Sequence, residues 1–318
     1  MAGMQRPFRK PLTIRRLQHL LSSIALLVTL PAMAQSLALT FDDGLNPVTQ
    51  QQAGQWNAQL LHDLDALQIQ AALFPSLSRI GNAQGLALVA NWATAGHMVG
   101  NHTASHRSLA SPEVSLDAFT GDVQLMHHAL QNLPTFTPLL RFPYLKEGNT
   151  ASKRDGMRQW MHQHGYRAAP VSIDASDWYY NQIYSQQLQQ GQAQQAAQVQ
   201  QAYIRHLLDR ARYYDQLAQT VLGRSPVHVL LLHTNQINAA SLPAIVRGLR
   251  AEGWQIASAS QAFADPLYRE QPNTLPAGES VVWALAKAQG LPNLRYPAED
   301  ARYEAPLLRD AGLLPTTP

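Results

Sequence analysis

The chain has 318 residues, 46% of them hydrophobic and 14% charged, with 24 basic residues against 21 acidic. That is enough apolar sequence for one large core, or a core with an appendage, and the ordinary Gly and Pro content argues against a fibrous or disordered chain. With no cysteine, a disulfide framework and Cys-ligated zinc are both excluded.

Residues 1–34 have the layout of a secretory signal peptide. Arg6, Arg9, Lys10, Arg15 and Arg16 make a basic start, Leu20 to Leu30 is a short apolar run, and Pro31-Ala32-Met33-Ala34 supplies an A-x-A cleavage pattern. The run is too short for a comfortable membrane span, so the expectation is an exported protein, periplasmic or secreted, with no membrane span after cleavage. The segment holds five basic and no acidic residues, leaving 19 basic against 21 acidic, a formal −2. The isoelectric point of about 9.2 therefore belongs largely to the leader, and a basic nucleic-acid surface is not supported.

From residue 35 onward, strand-like and helix-like stretches alternate. Leu37 to Phe41 is a β-prone run ended by Gly44 and Pro47. Trp56, Leu60, Leu61, Leu64 and Leu67 recur at helical spacing. Ala71 to Phe74 reads as a strand, 83–95 as a helix stopped by Gly96, and 115–132 as another helix. Leu139 to Phe142 reads as a strand, 152–164 as a helix, Ala168 to Ile173 as a strand, and Val227 to Leu232 as a buried strand. Leu242 to Arg250 is helical, and Gln255 to Ala257 is a last short strand. This alternation predicts βα units and a parallel sheet. Two segments stand apart. Residues 184–222 are Gln-rich, then amphipathic, and predict one or two long helices packed on the sheet, with a lid over substrate as the sharper reading. Residues 263–318 read as a C-terminal extension wrapped on the surface.

Chemistry-bearing residues fall at the ends of the predicted strands, where βα barrels place their active sites. Asp42-Asp43 follows the first strand. Adjacent carboxylates there repel, and a bound cation relieves this; a solvated Asp-Asp-Gly turn is the plain alternative. His102 and His106, spaced i, i+4, fall on one face if the stretch is a single helical turn. One carboxylate with two imidazoles is a common set for a divalent metal that keeps a position open for water, leaving the second carboxylate to take a proton. His127-His128 and His162/His164 read as structural or solvated.

Thr40-Phe41-Asp42-Asp43-Gly44 and His102-Thr103-Ala104-Ser105-His106 resemble the first two motifs of the polysaccharide deacetylase family, the NodB-homology group or carbohydrate esterase family 4. Arg141-Phe142-Pro143-Tyr144, Asp174-Ala175-Ser176-Asp177-Trp178 and Leu231-Leu232-His233 resemble the other three, in the family's order. The resemblance implies an α/β fold, a distorted (β/α) barrel over 35–262 with a helical insertion at 184–222. It implies metal ligands Asp43, His102 and His106, with zinc the first choice and cobalt, nickel or manganese also fitting these donors. It further implies Asp42 as general base, Arg141 orienting Asp42, His233 as general acid and Asp177 as its partner. Trp178 and Leu231 would line a pocket for the acetyl methyl, and Tyr144 would lie near the metal with its backbone N–H toward the oxyanion. The implied substrate is an amino-sugar polysaccharide or oligosaccharide such as peptidoglycan, chitin or an exopolysaccharide.

This chain departs from the family's usual pattern at Phe142, Leu145 and Met98, and between Trp178 and His233 it is longer than usual. These positions bear on groove walls, not on ligands, acid or base. Readings that share the site remain: an acetyl-ester hydrolase on xylan-type glycans, or an amidohydrolase on a small amide. A reading of another class is a non-catalytic carbohydrate-binding protein. Of the aromatics Trp178, Tyr179, Tyr180 and Tyr184, sugar stacking and core packing each account for about half.

Overall fold

The computed structural model describes residues 1–4 and 35–314; the expected leader at 1–34 lies, apart from its first four residues, outside them. Apolar β-prone runs form the sheet: β1 Ser36–Asp43, β2 Ala72–Pro75, β3 Met98–Asn101, β4 Phe136–Leu140, β6 Arg167–Ala168, β7 Val227–His233 and β8 Gln255–Ile256, with β5 Lys146–Gly148 and β9 Ala277–Gly278 as a separate antiparallel pair. The main sheet is parallel, in the order β6-β4-β3-β2-β1-β7, with β8 also on β1. Its helices are α1 Ala53–Ala66, α2 Leu77–Ile80, α3 Ala83–Thr94, α4 Leu116–Leu130, α5 Ala151–Gln163, α6 Asp177–Gln189, α7 Ala193–Leu222, α8 Gln236–Ala251, α9 Ala259–Ala264, α10 Val281–Ala288 and α11 Ala301–Asp310.

The α/β barrel expectation holds, with a distortion whose cause is local. The strand expected over Ala168 to Ile173 is split. Residues 167–168 pair with β4, whereas Ile173 bridges Leu230 on β7, with Leu231 N donating to Ile173 O at 2.9 Å. Pro170 sits between the two halves and has no N–H to continue a ladder. One short segment thus joins both edges of the sheet and closes the barrel.

Three further expectations change. His102 and His106 are not on a helix: residues 102–115 contain none, and Thr103 and His106 have φ of 65° and 55°. Local side-chain bonds hold this loop instead, with Asn101 Oδ1 accepting from Thr103 N (2.9 Å), Thr103 Oγ1 from His106 N (3.1 Å) and Asp122 Oδ2 from Ser105 N (2.9 Å). The helix expected from Leu242 starts earlier, at Gln236, where Asn235 caps it by accepting from Asn238 N at 3.0 Å. Pro243 resembles a first-turn proline but lies inside this helix. Lastly, the C-terminal segment is not confined to the surface. Val281, Val282, Trp283 and Ala286 join the main core, Ser280 Oγ donates to Ser172 O at 2.8 Å, and Val281 N to Val171 O at 2.8 Å.

The amphipathic insertion is a packed helix rather than a lid. Val199, Tyr203, Leu207, Ala211, Tyr214 and Ala218 are each fully buried along one face of α7, which packs against α6, α8 and α10.

Candidate active site

The ends of β1, β3, β4 and β7 converge on a cavity of about 770 Å³ lined by Asp42, Asp43, His102, His106, Tyr144, Trp178, Leu231 and His233, among others. All the ligand, acid and base positions expected from sequence are brought together there. The loops that carry them are strained. Six of the nine non-glycine residues with positive φ among the described residues are Asp43, Thr103, His106, Tyr144, Leu145 and Ser176. Such conformations persist only where the surroundings over-determine them, and they cluster at functional sites.

Asp43 Oδ1 lies 3.1 Å from His106 Nε2 and 3.9 Å from His102 Nε2, and one ligand atom from each residue falls within 4.8 Å of the other two. His102 Nδ1 donates to Arg141 O at 2.7 Å, which leaves Nε2 with a free lone pair toward the carboxylates. Burial lowers the His102 pKa to about 4, against the pull of Asp42, so the ring is neutral at physiological pH. Burial works to raise Asp43, yet the imidazoles of His106, His233 and His102 hold it well below the carboxylate range. One anionic oxygen and two imidazoles on separate strand ends fit a divalent metal of the zinc class. His106 carries one complication. Arg79 Nη2 stands 3.1 Å from its Nδ1, and a guanidinium only donates, so in this arrangement Nε2 bears the proton that faces Asp43. For His106 to ligate through Nε2, Arg79 must step off Nδ1; its side chain, 44% exposed, is free to do so.

Asp42 Oδ2 also lies 3.7 Å from His102 Nε2, but the hydrogen bonds to its carboxylate come from a different partner. Arg141, wholly buried, donates from Nη1 to both Asp42 oxygens (3.0 and 3.2 Å), from Nη2 to Thr40 Oγ1 (3.2 Å) and from Nε to Ala169 O (2.6 Å). Its guanidinium stacks 4.5 Å above the Phe74 ring. Gly100 makes room for that ring, because a Cβ there would fall 2.3 Å from Phe74.

Across the cavity, His233 Nδ1 donates to Asp177 Oδ1 at 2.7 Å. Burial opposes a charged imidazole, but Asp177, with Asp43 and Asp42 beyond it, outweighs burial and raises its pKa to about 10. Asp177 is held in turn. Its Oδ2 accepts from His233 N (2.7 Å), Asn235 Nδ2 (3.1 Å) and Asn238 Nδ2 (2.6 Å). Tyr144 is 57% exposed with its ring 4.8 Å from that of His106, Trp178 is 44% exposed on α6, and Leu231 is buried beside the cavity. Tyr180 and Tyr184 go to the core.

Sequence reasoning missed several supporting residues. Asn235 and Asn238 follow His233 at a strand-to-helix junction, and the i, i+3 pair at a helix start was the available signal. Arg79 carried none. Glu279 and Glu299, which also line the cavity, come from the segment read as a surface wrap.

A sequence model described as polysaccharide deacetylase matches residues 30–169. Asp177, Trp178, Leu231 and His233 lie beyond that match. A peptidoglycan-N-acetylglucosamine deacetylase from Bacillus cereus is 26% identical over 231 residues, 68% of this chain, and the chain spans 66% of that relative's length, just under two thirds. The catalytic domain of a peptidoglycan N-acetylglucosamine deacetylase from Eubacterium rectale superposes with a TM-score of 0.50 at 19% identity, over 72% of this chain and 90% of that one. A family 4 pseudoenzyme from Bacillus anthracis superposes with a TM-score of 0.50 at 11% identity, over 72% of this chain and 66% of that one. Those two likenesses speak to the fold alone. Taken with the five ordered motifs and the convergence of their residues, the comparisons make this chain similar to the polysaccharide deacetylase family, the NodB-homology group also called carbohydrate esterase family 4, with the sequence match lying over residues 30–169.

Proposed function

We propose that the protein hydrolyses N-acetyl groups from an amino-sugar polysaccharide outside the cytoplasm, with a divalent metal held by Asp43, His102 and His106. The observation that carries this reading is the division of labour between neighbouring carboxylates: Asp43 stands against both imidazoles, whereas Asp42, itself 3.7 Å from His102 Nε2, is gripped through both oxygens by Arg141. The export of the chain is supported by the leader-like segment 1–34.

When bound, the ion supplies Lewis-acid polarisation of the acetamide carbonyl and a more acidic water. Asp42, fixed by Arg141, takes the proton of the attacking water. His233, kept protonated by Asp177, gives a proton to the departing amine, without which an amide nitrogen leaves poorly. Leu231 and Trp178 enclose the acetyl methyl, and the Tyr144 backbone N–H faces the developing oxyanion. Aromatic exposure at Trp178 and Tyr144 supports a sugar substrate, since an exposed ring beside a polar cavity is a stacking platform.

The test is acetate release from N-acetylated chitooligosaccharides and peptidoglycan fragments, set against acetylated xylan and small acetamides, with and without chelator. Metal-dependent release from the amino sugars supports the reading. Release from xylan alone transfers it to ester hydrolysis. Glycan binding by metal-loaded protein with no release from any member of the panel replaces it with a binding role.

A further inference from the structure

A second group of facing ligand atoms lies where α7 meets the C-terminal segment. His206 comes from α7, Glu299 from the stretch before α11, and Glu304 from the first turn of α11. Glu304 is fully buried, and His206 and Glu299 are each 8% exposed. His206 Nδ1 is 3.2 Å from Glu304 Oε2, and His206 Nε2 is 3.8 Å from Glu299 Oε2. Both Glu304 oxygens and His206 Nε2 are buried without a hydrogen-bond partner. Orphaned polar atoms from two elements, facing one another, are costly unless something unseen satisfies them.

The neighbouring guanidiniums do not fill this role. Arg295 donates to Glu299 Oε1 at 2.9 Å, an oxygen that also accepts from Tyr214 Oη (3.2 Å), and Arg210 stands 3.8 Å from that same oxygen. Glu304 is left with Arg295 at 3.8 Å. Glu299 Oε2 faces His206 and accepts the Ser176 hydroxyl at 3.3 Å, and the Glu299 and Glu304 carboxyl groups interact directly. Burial, only partly offset by the arginines, raises Glu299 to about 7 and pushes Glu304 upward, while it lowers His206 to about 3 and keeps that ring neutral. Two under-compensated carboxylates and a neutral imidazole await a positive charge, which is either a proton or a metal ion.

We propose that His206, Glu299 and Glu304 bind a divalent transition-metal ion, distinct from the one at the strand ends, which ties α11 and the preceding segment to α7. One nitrogen and two carboxylate oxygens suit zinc or a neighbouring first-row metal. Through Glu299 and the Ser176 hydroxyl, this staple also bears on the residue preceding Asp177. It stands independently of the deacetylase reading.

The experiment uses the full chain, stripped with chelator and titrated with Zn2+, read by native mass spectrometry and by thermal melting. Asp43→Asn with His102→Asn removes the first centre. The expected result is two equivalents of zinc in the wild type, and one in the double variant, whose melting temperature still rises with zinc. Adding Glu304→Gln or, separately, His206→Asn to the double variant weakens the remaining equivalent by at least about 10-fold and removes the melting shift; circular dichroism checks that each is folded. If the double variant binds no zinc and its melting point ignores the metal, the proposal is overturned and a proton shared by Glu299 and Glu304 supplies the charge. Zinc retained at full affinity by both added variants overturns it as well.

Discussion

Asp177→Asn changes one atom and inverts the chemistry of His233. Asp177 Oδ2 accepts three N–H donors, from His233 N, Asn235 and Asn238. An asparagine must put its oxygen there, so its NH2 turns to His233 Nδ1, the atom 2.7 Å from Oδ1 in the native protein. Nδ1 must then accept, and an imidazolium, with protons on both nitrogens, is disfavoured. In the native protein burial acts against the charged ring, yet Asp177 foremost, then Asp43 and Asp42, lift its pKa to about 10. A divalent ion offsets the share of the last two and leaves that of Asp177. The stabilisation of protonated His233 is complete below the unfolded value of about 6.5 and is lost as pH rises through about 10. In the variant the pKa returns to about 6.5, a loss of about 3.5 units or about 5 kcal/mol. A general acid must hold its proton, so at pH 8 the competent fraction falls to about 3% and kcat/KM drops about 30-fold, whereas near pH 6 the loss shrinks below about twofold. Acetate release between about pH 5.5 and about 9.5 measures this. A variant whose alkaline limb parallels the wild type, merely scaled down, refutes the assignment of His233 as the acid held by Asp177.

Chelator, or Asp43→Asn, abolishes acetate release, and zinc, cobalt, nickel or manganese restores the chelated wild type but not the variant; calorimetry reads the metal directly. Arg79→Ala removes a cation 3.6 Å from Asp43 Oδ1 and tightens metal binding about fivefold, equivalent to about 1 kcal/mol at a half-exposed position; unchanged or weaker binding goes against its role as the rival cation. Gly100→Ala drives a Cβ to 2.3 Å from the Phe74 ring that carries Arg141, destabilising the fold by about 1–3 kcal/mol in chemical denaturation. Trp178→Ala leaves stability within about 1 kcal/mol of the wild type and raises KM for oligosaccharides more than it lowers kcat; equal melting with an unaltered KM removes Trp178 from the substrate surface.

The alternation of strands and helices was legible because each buried parallel strand is a short run of apolar residues with turn chemistry after it, as Leu37 to Phe41 before Gly44 shows. The split at Pro170 was visible as a residue but not as an event. A proline within a run signals a break, yet nothing local tells that the two halves will pair with opposite edges of the sheet. The histidine pair misled in the other direction. The i, i+4 interval is a helical signature only where the backbone is helical, and Thr103 and His106 reach the same convergence from left-handed conformations fixed by Asn101, Thr103 and Asp122.

Asp42, Asp43, His102, Arg141 and His233 were readable because each stands within one residue of a strand end, so topology alone carries them to one rim, whereas His106 and Asp177 lie farther along the chain. Their supports obey a different rule. Asn235 and Asn238 act on Asp177 across 58 and 61 residues, and Glu299 reaches Ser176 across 123; such pairs leave no periodic trace. What the two asparagines share is function in the electrostatic sense: each holds the buried charge of Asp177, which the fold could not otherwise keep. Single-residue motifs therefore announce where the reaction is placed. The long-range polar contacts set how strongly His233 holds its proton at that place, and they become visible only when the chain is folded.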